Sequence, residues 1–376
     1  MNLNVDFVVP SDAQKIKTAS SKPLFSTEAL TIPVYLNGVI LPGGWQNSYG
    51  GVCQDQTQEE QHRLHAQCLA ESVVYVGEFL PTWGHLITDL LRHFWYLIAP
   101  DYAHLKTLRI AYTMHFEQDE IPENFYSLMQ CLGVEKTQFL RINRITSFEK
   151  IYFPDGCYRV RNVLDYFIYT QEYVDLINHI AQFGKKQEGF EKVYFSRTQI
   201  AQQTKFYHRR DVNEQAIEKV FKNQGFKIIY PENLSFLAQL NILQSCQTFA
   251  ATDGSVMHNL LFCKTGVNAI VVRKSRHFTL HQITINHLKN ANVFYVDCGF
   301  SPFADQKAHW WAGPFFMYVS PNLRKMFCLS FQFFPIFSFL FSYCLAEFLR
   351  NILDNRLLIH IRKKLKIGQR LKKLFK

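Results

Sequence analysis

Four short runs rich in β-branched and aromatic residues, Val193–Ser196, Lys227–Tyr230, Thr248–Ala251 and Ala269–Val272, predict buried strands. Between the first two, Asn213–Asn223 switches to helical spacing. Ile217, Val220 and Phe221 fall on one side, and Glu214, Glu218 and Lys222 on the other. Gly225 follows as a helix-ending residue. Leu234–Gln244 repeats the amphipathic pattern before the third strand. Strands alternating with helices of this length predict an α/β fold with parallel pairing.

The earlier half reads the same way. Val34–Leu41, Val73–Gly77, Leu108–Tyr112, Phe139–Ile142 and Lys150–Phe153 have strand character, and His85–Ile98 and Glu123–Leu132 helical character. Phe167–Phe183 reads as one long helix ended by Gly184, and the polar stretch KKQEGFEK behind it is the clearest linker. Residues 279–290 predict a helix and Val293–Val296 a strand, whereas residues 1–30 show no period and predict an irregular lead-in. The expected division is therefore 1–30, a first α/β lobe over 31–186, a second over 187–300, and an aromatic segment with a tail over 301–376.

Composition changes the picture mainly at the C-terminus. The 376 residues are 48% hydrophobic, which argues against disorder. Of the net charge of +10, residues 347–376 carry +8, from ten Lys/Arg against Glu347 and Asp354, so the body is close to neutral. Before that tail, Phe327–Ala346 is uncharged over 20 residues, a length that just spans a bilayer, although Gln332 and Pro335 interrupt it. Leu349, Leu353, Leu357, Ile361 and Leu365 then repeat every four residues with basic residues around them, the pattern of an amphipathic helix drawn to anionic lipid. Residues 327–376 thus predict attachment to an anionic membrane surface. Packing on the body and non-specific phosphate-backbone binding are the alternatives, and no specific nucleic-acid partner is expected. Nine scattered cysteines with no C-x-x-C, and an N-terminus without a basic start and apolar core, predict a reducing, cytoplasmic setting on the inner face of the membrane.

Candidate chemistry lies at strand ends, where open α/β sheets bind ligands. Ser196-Arg197 follows the first predicted strand, Pro231-Glu232 the second and Asp253-Gly254-Ser255 the third. Gly254-Ser255 is expected to open a helix through Met257, His258, Asn259, Leu260 and Leu261, whose N-terminus would offer free N–H groups to a phosphate. Arg197, Arg209 and Arg210 would add charge there. Taken singly, each reads as a tight turn or a surface ion pair, and it is their coincidence at successive strand ends that points to an anionic ligand. In the predicted helix His85–Ile98, His85, Asp89 and Arg92 or His93 recur on one side, either as a functional group or as a local ion pair. Cys53, His62, His65 and Cys68 match no common zinc spacing. With no Asp-x-Asp, no G-x-G-x-x-G and no P-loop, a scheme without a divalent metal or other cofactor is favoured.

The ordered set YFSR, RR, NE, GF, IYPENLS, DGSVMHNLLF and VV resembles glycosyltransferase family 61, known from capsular polysaccharide synthesis. The matching positions are Arg197, Arg209, Arg210, Asn213, Glu214, Gly254 and Asn259, together with the His-x-x-x-Asp segment at His85 and Asp89. Asp253 stands where that family more often has His. The resemblance covers roughly Val73 to Val272. It implies a GT-B arrangement of two Rossmann-like lobes, with 31–186 on the acceptor side and 187–300 holding a nucleotide-sugar donor. It also implies inverting transfer to a glycan or lipid-linked glycan in capsule or lipopolysaccharide synthesis. Asp89 is the first candidate for the base and His85 the second. Arg197, Arg209, Arg210, Asn213, Glu214, Asp253, Gly254, Ser255, His258 and Asn259 are the candidates for donor binding. A phosphoryl-moving transferase on the same lobes and a non-catalytic, membrane-associated assembly subunit are the competing readings.

Overall fold

The computed structural model describes residues 1–42, 66–116, 119–161, 166–203, 211–300 and 315–330. Two six-stranded sheets dominate. The first has the order β2 (Val34–Leu36), β7 (Thr146–Tyr152), β4 (Gln67–Phe79), β5 (Arg109–Met114), β6 (Phe139–Arg141), with β3 (Val39–Ile40) also paired to β7. Its inner pairs, β7 with β4, β4 with β5 and β5 with β6, are parallel, and β2 and β3 add antiparallel edges.

The short strand β11 (Asp211–Val212) lies outside both large sheets. The second large sheet is parallel throughout. Its order is β1 (Asn2–Phe7), β15 (Asn292–Asp297), β14 (Asn268–Arg273), β13 (Thr248–Thr252), β10 (Lys192–Phe195), β12 (Lys227–Ile229). Four of these strands coincide with the four predicted runs. Alternation sorts their side chains onto two faces. Val193, Phe195, Phe249, Ala251, Ala269 and Val271 join a core shared with Val74, Val76 and Phe79 of β4. Tyr194, Ala250, Ile270 and Val272 pack on the opposite side with Ile217, Phe221 and Leu323. A sheet buried on both faces needs the near-continuous hydrophobic runs seen in VYF, FAA and AIVV.

Three expectations change. Most of residues 1–30, expected as an irregular lead-in, is regular structure. It forms β1, parallel to β15, and the helix Pro10–Ser20, whose buried Asp12 lies 3.4 Å from the Arg273 guanidinium. The long helix expected over Phe167–Phe183 is a strand, β9 (Tyr166–Tyr169), paired with β8 (Tyr158–Arg161), followed by the helix Gln171–Ala181. Thr170 in extended backbone separates them, because the apolar run on its N-terminal side pairs with a neighbouring strand before helical spacing begins.

Phe327, expected to start the membrane-binding segment, belongs instead to the body. Its ring meets Phe221 edge-to-face at 5.3 Å and Phe226 at 6.2 Å, just after the helix Pro321–Met326. The remainder of that segment, from residue 331, and most of the aromatic segment 301–314 lie outside the described residues.

Candidate active site

The turn that follows β4 carries the first half of the site. Where one regular helix is expected over His85–Ile98, the chain makes a helical turn at Trp83–His85, a π-turn at Leu86–Leu90 and 3₁₀ turns at Leu91–His93 and Trp95–Leu97. The Thr88 hydroxyl donates to the Gly84 carbonyl at 2.8 Å and competes with regular α-helical pairing. Buried Leu86, Ile87 and Leu90 anchor the turn. π-turns of this kind concentrate at functional sites. On the exposed side of this one, Nδ1 of His85 lies 2.5 Å from Oδ2 of Asp89. Both side chains are partly open to solvent, 46% and 37% exposed.

Burial alone would raise the Asp89 carboxyl. The hydrogen bond from His85 and the fields of the neighbouring imidazoles and Arg92 outweigh it, and the carboxyl sits below its ordinary value. The third member expected on this face does not join the dyad as an exposed group. Arg92 is buried, donates to the Tyr158 carbonyl at 3.3 Å and reaches Nε2 of His93 at 3.1 Å. His93 in turn bonds the Pro154 carbonyl at 2.7 Å, and burial together with the Arg92 charge pushes its ring down to about 3. These two residues pin the turn to the strap before β8.

The second half is the turn after β13. Gly254 has φ 125°, a conformation that strains any residue with a side chain. The helix expected to open at Gly254-Ser255 is a six-residue 3₁₀ segment, Met257–Phe262, too short to build a substantial dipole. What the turn offers instead is proximity. A Cβ on Gly84 would come 2.7 Å from Oγ of Ser255 and 3.2 Å from Cδ2 of His258, so the two turns touch where the ends of the two sheets meet. Trp83 Nε1 donates to Oδ1 of Asn259 at 2.9 Å, and Asn259 Nδ2 donates to the Val256 carbonyl at 2.9 Å. Asn259 therefore fastens one turn to the other.

Behind the Gly254 turn lies a group of charges. Arg197 Nη1 is 3.1 Å from Oδ2 of Asp211, and Nζ of Lys274 is 3.2 Å from Oδ1 of the same carboxylate. A Cβ on Gly254 would stand 3.9 Å from that ammonium. Burial lowers Lys274, with the Asp211 charge opposing the shift. Glu214 accepts from the Tyr194 hydroxyl at 2.8 Å and from the Arg197 backbone N–H at 3.3 Å. Burial first, and the Asp211 charge second, raise its carboxyl to about 7. Burial also raises the Asp253 carboxyl, against the charges of Lys274 and Arg273, and Thr279 donates to it at 3.3 Å.

The sequence-expected residues therefore divide. His85, Asp89, Gly254, Ser255 and His258 meet at the junction of the two turns, and Arg197, Glu214 and Asp253 gather behind the Gly254 turn. Asn213 stands apart from them in contact terms. It adopts φ 66°, and its amide donates to the Met317 carbonyl at 2.9 Å. Arg209 and Arg210 lie outside the described residues, as do Cys53, His62 and His65, while Cys68 is an exposed thiol. Among the described residues no group of three or more His, Cys, Asp or Glu is arranged to hold a metal ion.

Two members were missed. Lys274 follows the fourth strand directly, and the strand-end rule that singled out Arg197 applies to it equally. His281 sits in a segment whose pattern shows only a helix. Its ring stacks on Phe167 at 3.7 Å, its Nδ1 is 2.9 Å from the Tyr158 hydroxyl, and burial pushes it down to about 3.

No curated protein matches the chain. The sequence model of the family Glycosyltransferase 61 matches residues 83–271, half of the chain. That stretch begins at Trp83, one residue before the Gly84 contact, and ends within β14, so it encloses both turns of the site and the Arg197–Asp211 pair. The chain belongs to the glycosyltransferase 61 family and is a glycosyltransferase.

Proposed function

We propose that the protein transfers a sugar from a nucleotide-sugar donor to a glycan hydroxyl with inversion and without a divalent metal. The two sheets act as the two lobes of a GT-B arrangement. The observation that carries this reading is the contact of the His85–Asp89 turn with the Ser255–His258 turn, with Arg197 and Lys274 behind the latter. A partly open base thus stands close to a cationic strand end.

In this scheme the acceptor oxygen attacks the anomeric carbon as its proton passes to the dyad. The bond from that carbon to the diphosphate oxygen breaks, and its electron pair leaves with the diphosphate. Charge accumulates on the leaving group as the bond breaks, which is when cations at the site contribute most to rate. Arg197 and Lys274 carry net positive charge past Asp211 and take that role. Nε2 of His85 makes no hydrogen bond among the described residues, whereas Oδ2 of Asp89 is held by Nδ1 of the same ring. His85 is accordingly the proton acceptor and Asp89 the group that orients it, the order opposite to the one first expected.

The basic tail and the Phe-rich stretch before it support work on lipid-linked or envelope glycans at an anionic, cytoplasmic membrane face, in capsule or lipopolysaccharide synthesis. Among the described residues no helix is long and apolar enough to cross a membrane.

A thermal-shift panel of UDP-, GDP-, CMP- and dTDP-sugars tests the reading, because a ligand that binds only the folded state raises Tm by mass action. A rise with one nucleotide class, lost in Arg197→Ala, is expected. No rise with any of them contradicts the donor assignment.

A further inference from the structure

A directional chain of buried polar groups runs behind His258. Nδ1 of His258 is 2.9 Å from Oε1 of Gln282. The Gln282 amide nitrogen donates to Oδ1 of Asn286 at 2.8 Å, and the Asn286 amide nitrogen donates to the Tyr295 hydroxyl oxygen at 2.9 Å. His258 is 5% exposed and the other three are 1% exposed. Each carboxamide has one donating and one accepting side, so the orientation of one fixes the next, and here the Asn286 NH₂ points at Tyr295. With the Asn286 NH₂ on Tyr295, its oxygen faces Gln282. With the Gln282 NH₂ on that oxygen, Oε1 faces the imidazole. A carboxamide oxygen only accepts, so Nδ1 of His258 carries the proton and Nε2 keeps a bare lone pair.

The edge of the ring that bears Nε2 is placed by its neighbour. Cδ2, bonded to Nε2, would lie 3.2 Å from a Cβ on Gly84, so this edge faces the turn that holds His85 and Asp89. Burial lowers the proton affinity of the ring, outweighing the Gln282 bond and the Asp253 charge, and favours the neutral form. A bare nitrogen has nothing to offer a phosphate oxygen, which also only accepts. It fits an O–H group.

We infer that Gln282, Asn286 and Tyr295 are positioning residues that hold His258 with Nε2 bare toward the Gly84–His85 turn, where it accepts a hydrogen bond from a hydroxyl of the transferred sugar. The inference rests on the nucleotide-sugar reading and narrows His258 from donor binding in general to the sugar of the donor.

The test is the nitrogen spectrum of the full chain labelled at histidine, with His258→Gln identifying the resonances. The ligand-free protein is expected to show a protonated Nδ1 and an unprotonated Nε2 at His258, and Gln282→Met to mix the two tautomers. UDP-glucose, GDP-mannose, CMP-sialic acid and dTDP-glucose are then titrated beside UDP, GDP, CMP and dTDP. The His258 Nε2 resonance is expected to move with one sugar nucleotide and not with the matching nucleotide alone. A protonated Nε2, a tautomer unchanged in Gln282→Met, or an equal response to nucleotide without sugar overturns the inference. A thermal shift with a sugar nucleotide while His258 stays unmoved also overturns it and leaves the donor reading standing. Silence in both measurements overturns both.

Discussion

Nδ1 of His85 and Oδ2 of Asp89 lie 2.5 Å apart across a π-turn that interrupts the helix the sequence predicts. The carboxylate takes one ring nitrogen and leaves the other without a hydrogen bond among the described residues, the geometry of an oriented base. His85→Ala should lower transfer by roughly two to four orders of magnitude, the range for a general base. Asp89→Asn should cost less, with donor affinity near wild type in both variants. Steady-state kinetics decide the order of roles: a more damaging Asp89→Asn would make the carboxylate itself the base.

The shared carboxylate of Asp211 makes a prediction about the cations. Arg197→Ala and Lys274→Met should each weaken donor binding by about 1.5–3 kcal/mol, the size of a hydrogen bond to a charged group. The double variant should show non-additivity, because both cations meet Asp211. Calorimetric titration of the donor identified in the thermal panel supplies the numbers. An unchanged Kd in Lys274→Met would remove that residue from the site.

Glu214 predicts a pH effect on stability. Its carboxyl is raised from an ordinary 4.5 to about 7, so between those values the folded chain binds more protons than the unfolded one. Stability must then fall as pH rises through that window. Glu214→Gln should flatten this component while keeping a partner for the Tyr194 hydroxyl. Chemical denaturation of both proteins at pH 5 and pH 8 measures it, and equal slopes in the two would refute the raised carboxyl.

Much of this architecture was legible because hydrophobic period and burial agree. In β13 and β14 the runs FAA and AIVV are buried on both faces, and their edges fall within two residues of the expected ones. The strand β1 was overlooked although Leu3, Val5 and Phe7 alternate with polar residues. Its pairing partner, Asn292–Val296, lies almost the whole chain away, and no local signal announces such a partner. Arg197 and Glu214 were legible as candidates, since strand ends and helix starts can be read. Their joint dependence on Asp211 was not, because partner choice is set by tertiary packing. The π-turn at Leu86 was invisible for a related reason: its apolar spacing is that of an ordinary helix.

The tail gives a further expectation. Because Phe327 packs on Phe221 and Phe226, a truncation after Ser330 keeps every contact among the described residues and should remain folded. That truncation should lose binding to anionic vesicles, and deletion of 350–376 alone should leave weaker, salt-insensitive attachment. Vesicle flotation at low and high salt reads both. A full-length chain that does not float with anionic lipid would contradict the membrane assignment.

Under the proposed function, the site where the two turns meet cleaves a sugar from a nucleotide. The most direct measurement is release of free nucleotide from UDP-, GDP-, CMP- and dTDP-sugars by the purified full chain without acceptor, compared with Arg197→Ala. Slow release from one nucleotide class, reduced at least tenfold in the variant, is the result expected. No release from any of them, or equal release by wild type and variant, would contradict it.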